Sequence, residues 1–298
     1  MTVKEITAIL EELAPLPLAE DFDNVGLLTG HNSMEVKGVL VTLDALESVV
    51  DEALERGCNL IVSFHPILFK GLKRLTGADY VERALLKAVK NDIAIYSMHT
   101  ALDKVPRGVS GRLSQALDLQ ECRILMPHSG TIEKLVTYVP LKARDAVLDA
   151  LFQAGAGSLG NYSHCSFGTR GEGSFLPEPG ARPSIGVQGE LHREPEEQLH
   201  LTYPSHLRQR VLDALMTAHP YEEVAYEISA LENQYPHTGM GMLGLLASPM
   251  EGTAFLELLK KRLGTPCIRH SELPDKRIHR VAVLGGSGAF AIGAARKA

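Results

Sequence analysis

His65, His99 and Asp103 are three residues whose types and places in this chain could bind a metal and move a proton. An imidazole nitrogen and a carboxylate oxygen are hard-to-borderline donors, suited to Zn, Fe or Mn. His99 and Asp103 stand four residues apart in His99-Thr100-Ala101-Leu102-Asp103. His99 is also the best candidate for a general base, because an imidazole titrates near neutral pH. Taken alone, His65 has the commoner reading of a hydrogen-bonded structural histidine. Its place in the chain shifts that reading.

His65 lies in Asn59–Lys70, NLIVSFHPILFK. Leu60, Ile61 and Val62 form an apolar, partly β-branched run after Gly57, which predicts a buried strand. Pro66 lacks a backbone N–H and pushes His65 towards an extended conformation, so the strand should end near His65. Ligands of α/β sheets sit at the carboxyl ends of strands. Asp92–Met98, DIAIYSM, predicts a second strand that ends at His99. Between them, Tyr80–Asn91 has helical spacing, with Val81, Leu85 and Val89 on one face. A right-handed strand–helix–strand crossover would bring His65 and His99–Asp103 to one sheet edge.

Upstream, Gly38–Leu43 predicts a strand and Ala45–Arg56 a helix closed by Gly57. Asp44 between them reads first as the N-cap of that helix. Asp21-Phe22-Asp23-Asn24 predicts a loop whose acids either support a metal ligand from behind or form a turn; the residues leave both open. Thr2–Leu13 opens the chain as a helix with a Thr2/Glu5 capping box and an apolar face of Ile6, Ile9, Leu10 and Leu13.

Several of these motifs together resemble a family. DFDNVGLLTG (Asp21–Gly30), Val39–Leu75, NDIAIYSMHTALD (Asn91–Asp103), HPYEEVAYEI (His219–Ile228) and VAVLGGSGAF (Val281–Phe290) are similar to the Ngg-interacting-factor-three-like proteins, catalogued in bacteria as GTP cyclohydrolase 1 type 2 homologs. The resemblance implies a dinuclear metal site. Its ligands would be two adjacent histidines after a strand, the aspartate of an HTxxD motif, and a C-terminal histidine and glutamate. Residue by residue, His65 matches the second histidine and Asp103 the aspartate, while His99 is the histidine of HTxxD. Phe64 stands where the family has its first histidine; it either lines the site or packs in the core. The chain reaches Ala298 before the segment carrying the last two ligands, so the expectation is that the natural sequence continues. With two of five ligands present, less than full metal occupancy is expected.

The resemblance further implies a metal-dependent hydrolase with a metal-bound water as nucleophile, acting on a small molecule, GTP by the family label. It also implies hollow, ring-like homo-oligomers, hexamers among them. The alternative is a non-enzymatic oligomeric metal-binding or interaction scaffold with a degenerate site.

Composition narrows the field. The 298 residues are 45% hydrophobic and 22% charged, as in globular proteins, and suffice for one large or two ordinary domains. A net charge of −6 and the absence of Trp argue against a nucleic-acid partner. Lys70, Lys73 and Arg74 form a small basic patch that reads as solvated surface. The four cysteines are widely spaced with no CxxC pair, which predicts free thiols in a reducing cytoplasm. No apolar run approaches the ~18 residues that span a bilayer, so no membrane partner is expected.

From about Pro127 the pattern changes. Glu133–Pro140, Ser163–Thr169, Glu197–Tyr203 and Glu223–Ile228 predict strands, with helices at Ala143–Ala154 and Ser205–Ala218. That β–α–β–β–α–β order suggests a ferredoxin-like unit. The glycine-rich 154–173 stretch lacks the Walker spacing, so a phosphate loop is not expected. His219-Pro220-Tyr221-Glu222-Glu223 reads as a turn with a polar rim. Gly239–Leu246 returns to strand, Thr253–Leu263 to helix with Phe255, Leu258, Leu259 and Leu263 inward, and Arg280–Leu284 to a buried strand. Gly285-Gly286-Ser287-Gly288 then turns into a helix, a weak anion-binding signal. The fold class expected is α/β: a layered α/β body with mostly parallel strands, residues 1–127 and 238–298, interrupted by a ferredoxin-like α+β domain, 128–237.

Overall fold

The computed structural model describes residues 1–273 and 275–298. They divide into two compact units, Met1–Pro127 with Pro236–Ala298, and His128–Tyr235.

The first unit opens with α1 (Val3–Leu13), β1 (Gly26–Thr29), β2 (Val39–Thr42), α2 (Glu47–Glu55), β3 (Leu60–Ser63), α3 (Tyr80–Lys90), β4 (Ala94–Ser97), α4 (His99–Asp103), α5 (Val109–Ala116) and β5 (Gln120–Ser129). The capping box is formed: Thr2 Oγ1 accepts the Glu5 N–H at 3.3 Å, and the Glu5 carboxylate accepts the Thr2 N–H at 2.7 Å. Of the apolar face expected on α1, Ile6 and Leu10 pack against the core, and the other two residues are corrected. Val3 and Thr7 are buried, whereas Ile9 and Leu13 are exposed. The reason is that the start of α1 is pinned to residues 32–36 through the Val3 and Lys4 N–H groups, which turns the Val3–Thr7 side inward.

The principal sheet has the order β1-β4-β3-β2. β2, β3 and β4 are parallel, with Val41, Val62 and Tyr96 in one row, and β1 is antiparallel to β4. Every residue of β3 and β4 is buried, as for central strands covered on both faces. On one face Leu60, Val62 and Tyr96 pack with Val3 of α1; on the other, Ile61 and Ile95 pack with Val50 and Ala53 of α2 and with Ala84, Leu85 and Ala88 of α3. Val89 of α3, expected inward, is exposed, because the small Ala84 and Ala88 are what meets the sheet. Asp79 caps α3 by accepting the Glu82 N–H at 2.8 Å.

The second unit comprises β6 (Ile132–Pro140), α6 (Arg144–Gln153), β7 (Phe167–Phe175), β8 (His192–Pro204), α7 (Arg208–Ala218) and β9 (Tyr226–Leu231). Its sheet order is β7-β8-β6-β9, antiparallel throughout, which is the ferredoxin-like arrangement. Leu135, Val139, Leu199 and Leu201 of the sheet meet Leu148 and Leu151 of α6 and Val211 and Leu215 of α7 in one core. Two strands start later than the sequence suggested. β7 begins at Phe167 because Gly157–Cys165 and Leu159–Tyr162 backbone bonds tie the preceding residues into a turn. β9 begins at Tyr226 because the His219–Tyr221 turn is closed by its own histidine: the Tyr221 N–H donates to His219 Nδ1 at 3.1 Å.

The chain returns to the first unit with β10 (Gln234–Met250), α8 (Gly252–Leu263), β11 (Ile278–Val283) and α9 (Ile292–Lys297). A second sheet has the order β11-β10-β5. β11 lies at its edge with only Val281 buried, so it is not the fully buried strand expected from its apolar run. Leu263 of α8 is likewise exposed. Among the described residues, no helix is long and apolar enough to cross a membrane.

Candidate metal centre

The carboxyl ends of β3 and β4 converge, and the backbone keeps them in register past the strands. The Phe64 N–H donates to the Thr42 carbonyl at 3.1 Å and the His65 N–H to the Leu43 carbonyl at 2.9 Å. The Phe64 carbonyl accepts both the His99 N–H at 2.9 Å and Ser97 Oγ–H at 2.8 Å. His65 and His99 therefore face each other, their ring centres 5.5 Å apart.

Each imidazole is held by a carboxylate behind it. Asp44 Oδ1 lies 2.8 Å from His65 Nδ1, and Asp23 Oδ1 lies 2.8 Å from His99 Nδ1. A carboxylate can only accept, so Nδ1 donates in both rings, and in a neutral imidazole that leaves the lone pair on Nε2. No described residue bonds either Nε2. This corrects the reading of Asp44 as an N-cap. The helix starts at Glu47, its N-cap position is Leu46 with no side-chain bond, and Asp44 is turned to His65 instead.

Asp23 is the most heavily bonded carboxylate here. Its side chain is fully buried and accepts from His99 Nδ1, from the Thr100 N–H at 3.1 Å, from Thr100 Oγ1 and from the Asn24 N–H at 2.8 Å. Burial raises its pKa, but these bonds to His99, Thr100 and Asn24 outweigh burial and hold it below the usual carboxylate range. Asn24 Nδ2 also donates to the Leu68 carbonyl, which ties the Asp21–Asn24 loop to the segment after His65.

Asp103, at the end of α4, is the opposite case. It is 8% exposed, and its Oδ1 has no hydrogen-bond partner. Burial pushes its carboxyl pKa up, with Asp23 adding to the rise while His99 and His65 pull it down. Gly285 of the glycine turn lies over it: a Cβ there would come within 3.7 Å of Asp103 Oδ1 and 2.5 Å of Val109 Cγ1. A side chain at Gly285 would therefore crowd Val109 of α5, so this position of the turn allows a close approach to α5.

Aromatic rings wall the site. The Phe64 ring centre is 5.0 Å from His65 and 5.4 Å from His99, and Phe69 is 6.3 Å from His99. Phe64 is half-buried and belongs to none of the core clusters, so of its two possible places it takes the one beside the imidazoles. His219, by contrast, is far along the chain in the second unit and buried there. Its Nε2–H donates to the Tyr138 carbonyl at 3.0 Å, which with the Tyr221 bond uses both ring nitrogens structurally.

The sequence that builds this strand-end imidazole pair matches a known family along its whole length. The sequence model of Duf34/NIF3 (NGG1p interacting factor 3) covers residues 1–298. The chain belongs to the NIF3 family. It is 39% identical over 286 residues to a Bacillus subtilis (strain 168) protein named GTP cyclohydrolase 1 type 2 homolog, covering 96% of this chain and 77% of that one. A Mycobacterium tuberculosis (strain ATCC 25618 / H37Rv) protein of the same name is 34% identical over 288 residues, covering 95% and 76%. Among solved structures, a Bacillus cereus protein related to NIF3 superposes with a TM-score of 0.84 at 38% identity, over 100% of this chain and 80% of that one. A Staphylococcus aureus protein gives 0.72 at 28% identity, over 100% and 78%.

The donors of this NIF3 chain meet a metal only in part. The orphaned Asp103 Oδ1 and the two free Nε2 atoms are donors of the right type. Yet among the described residues no group of three or more His, Cys, Asp or Glu is arranged to hold an ion. Asp103 Oδ1 and the two Nε2 atoms are the donors that the site offers to an ion.

Proposed function

We propose that this chain is a metal-binding protein with a reduced hydrolase-type site: His65 and Asp103 hold one divalent ion (zinc, iron or manganese) and His99 moves the proton. The observation that carries the reading is Asp103, a buried carboxylate whose Oδ1 has no donor although it lies beside two imidazoles. An uncompensated buried carboxylate costs several kcal/mol on the order of its desolvation, and a cation is the direct remedy. When bound, the ion would supply Lewis-acid activation of water or of a substrate oxygen. The chain's own groups do the rest. Asp23 fixes the Nδ1–H tautomer of His99, so Nε2 is free to take a proton from a water or a substrate hydroxyl. Asp44 does the same for His65, keeping Nε2 available as a ligand. Phe64 and Phe69 narrow the site and lower its polarity.

The substrate proposed is a small molecule, and the relatives' printed name makes GTP the first probe. Turnover should require added Zn, Fe or Mn, vanish with chelator, and fall by about a hundredfold or more in His99→Gln. Metal-independent turnover, or full activity in His99→Gln, would contradict the assignment.

One observation favours a second reading, a non-enzymatic oligomeric scaffold: an apolar ring, Phe64, stands beside both imidazoles where a further ligand could otherwise reach them. Both readings share a homo-oligomer. Edge strand β2 supports one, since Val39, Val41 and Leu43 point outward, Val41 with 76% of its surface exposed. Sedimentation velocity should show an assembly that Val41→Lys weakens; a wild-type monomer would rule it out. Four cysteines, all free, support a reducing compartment such as the cytoplasm.

A further inference from the structure

The second unit contains a cavity of about 640 Å³ between β7, β8, the loop after β7 and the His219–Glu223 turn. That volume lies within the ~300–1,000 Å³ typical of small-molecule sites. The loop is fastened over it: the Arg182 N–H donates to Glu222 Oε2 at 2.7 Å, and the Gly189 N–H to the Pro177 carbonyl at 2.9 Å.

The sheet of this unit buries three glutamates, Glu133, Glu196 and Glu197, at 3, 8 and 6% exposure. Buried carboxylates are normally paired. Glu133 is paired with Arg208 Nε at 2.9 Å and Glu197 with Arg144 Nε at 2.8 Å. Glu196, the one that lines the cavity, has no cation among the described residues. Its Oε1 accepts from the Tyr221 hydroxyl at 2.7 Å, and no donor meets Oε2. Gly173 makes room for that oxygen, since a Cβ there would lie 2.2 Å from it.

The rest of the wall has the same character. Glu178 and Glu223 also line the cavity and form no ion pair among the described residues, of which Arg170 is the single cationic one in the lining. Phe175 and Tyr221 stand edge to face with ring centres 5.6 Å apart, and Tyr138 completes an aromatic side. Aromatic faces and an unpaired carboxylate together recognise an organic cation.

We propose that this cavity is a binding site for a small organic cation: an ammonium or guanidinium group seats on Glu196 Oε2, and its apolar body lies against Tyr138, Phe175 and Tyr221. The site is separate from the metal centre and does not rest on the reading of that centre.

The test is calorimetric titration of the full chain with tyramine, phenethylamine, agmatine and 4-methylbenzylguanidine. Each is matched to a carboxylate and a neutral amide of similar size. Cations should bind in preference to their matched controls. Glu196→Gln keeps the Tyr221 bond and should weaken that binding by about tenfold or more. Glu223→Gln, at an exposed position, guards against misfolding and should weaken it by about twofold to fivefold with an unchanged melting temperature. No binding by any of the four cations would overturn the proposal. So would equal binding of cation and neutral control, or binding unchanged in Glu196→Gln.

Discussion

Phe64→His is expected to tighten divalent-metal binding by about tenfold or more, because it places an imidazole where an apolar ring now faces two others. The stability cost should stay under about 1 kcal/mol, since Phe64 is half-buried at the site and outside the core clusters. Had Phe64 been core packing, the same change would bury an unpaired polar ring and cost on the order of 2 kcal/mol with no gain in affinity. Calorimetric zinc titration and thermal melts on the one variant separate these outcomes. A destabilised protein with unchanged metal affinity would sink the site role of Phe64.

The second large effect is expected at Asp23. Asp23→Asn replaces an acceptor of four donors by an amide that must itself donate. The buried bonds to His99, Thr100 and Asn24 cannot all survive, so stability should fall on the order of 2–4 kcal/mol. The His99 tautomer loses its enforcement, so any turnover should fall further than stability alone explains. The wild type carries a matching pH signature. Folding lowers the Asp23 pKa below its ordinary 3.8, so its contribution is fully present above that value and disappears as pH falls through the lower, folded one. Acid melts taken from neutral pH down through and below 3.8 should therefore show a loss in the wild type that Asp23→Asn lacks. Identical acid profiles would remove Asp23 from this role.

Much of the site could be read from local sequence. Leu60–Val62 ahead of Pro66, and Ile93–Tyr96 ahead of His99, are runs whose burial and stop signals are local, so the two strand ends and their parallel pairing followed. Asp44 could not be read correctly in the same way. An aspartate before a helix satisfies the capping rule, and only the register of β2 beside β3 shows that it meets His65. Three of the four bonds to Asp23 span 76 or 77 residues of sequence, to His99 and Thr100, a separation that no periodicity encodes. Gly285 is similar: it belongs to a generic turn until the second sheet brings it over Asp103. Side-chain faces on α1 and α3 were misassigned at Ile9 and Val89 because which stripe turns inward is set by the partner surface, not by spacing alone.

His65 and Asp103 are expected to hold at most one ion beside a His99 fixed by Asp23. Elemental analysis after exhaustive dialysis, on the wild type and on Asp103→Asn, addresses it most directly. The expected result is a measurable content well under two metals per chain in the wild type and none retained in the variant. Two tightly held ions per chain, or an unchanged content in Asp103→Asn, would contradict it.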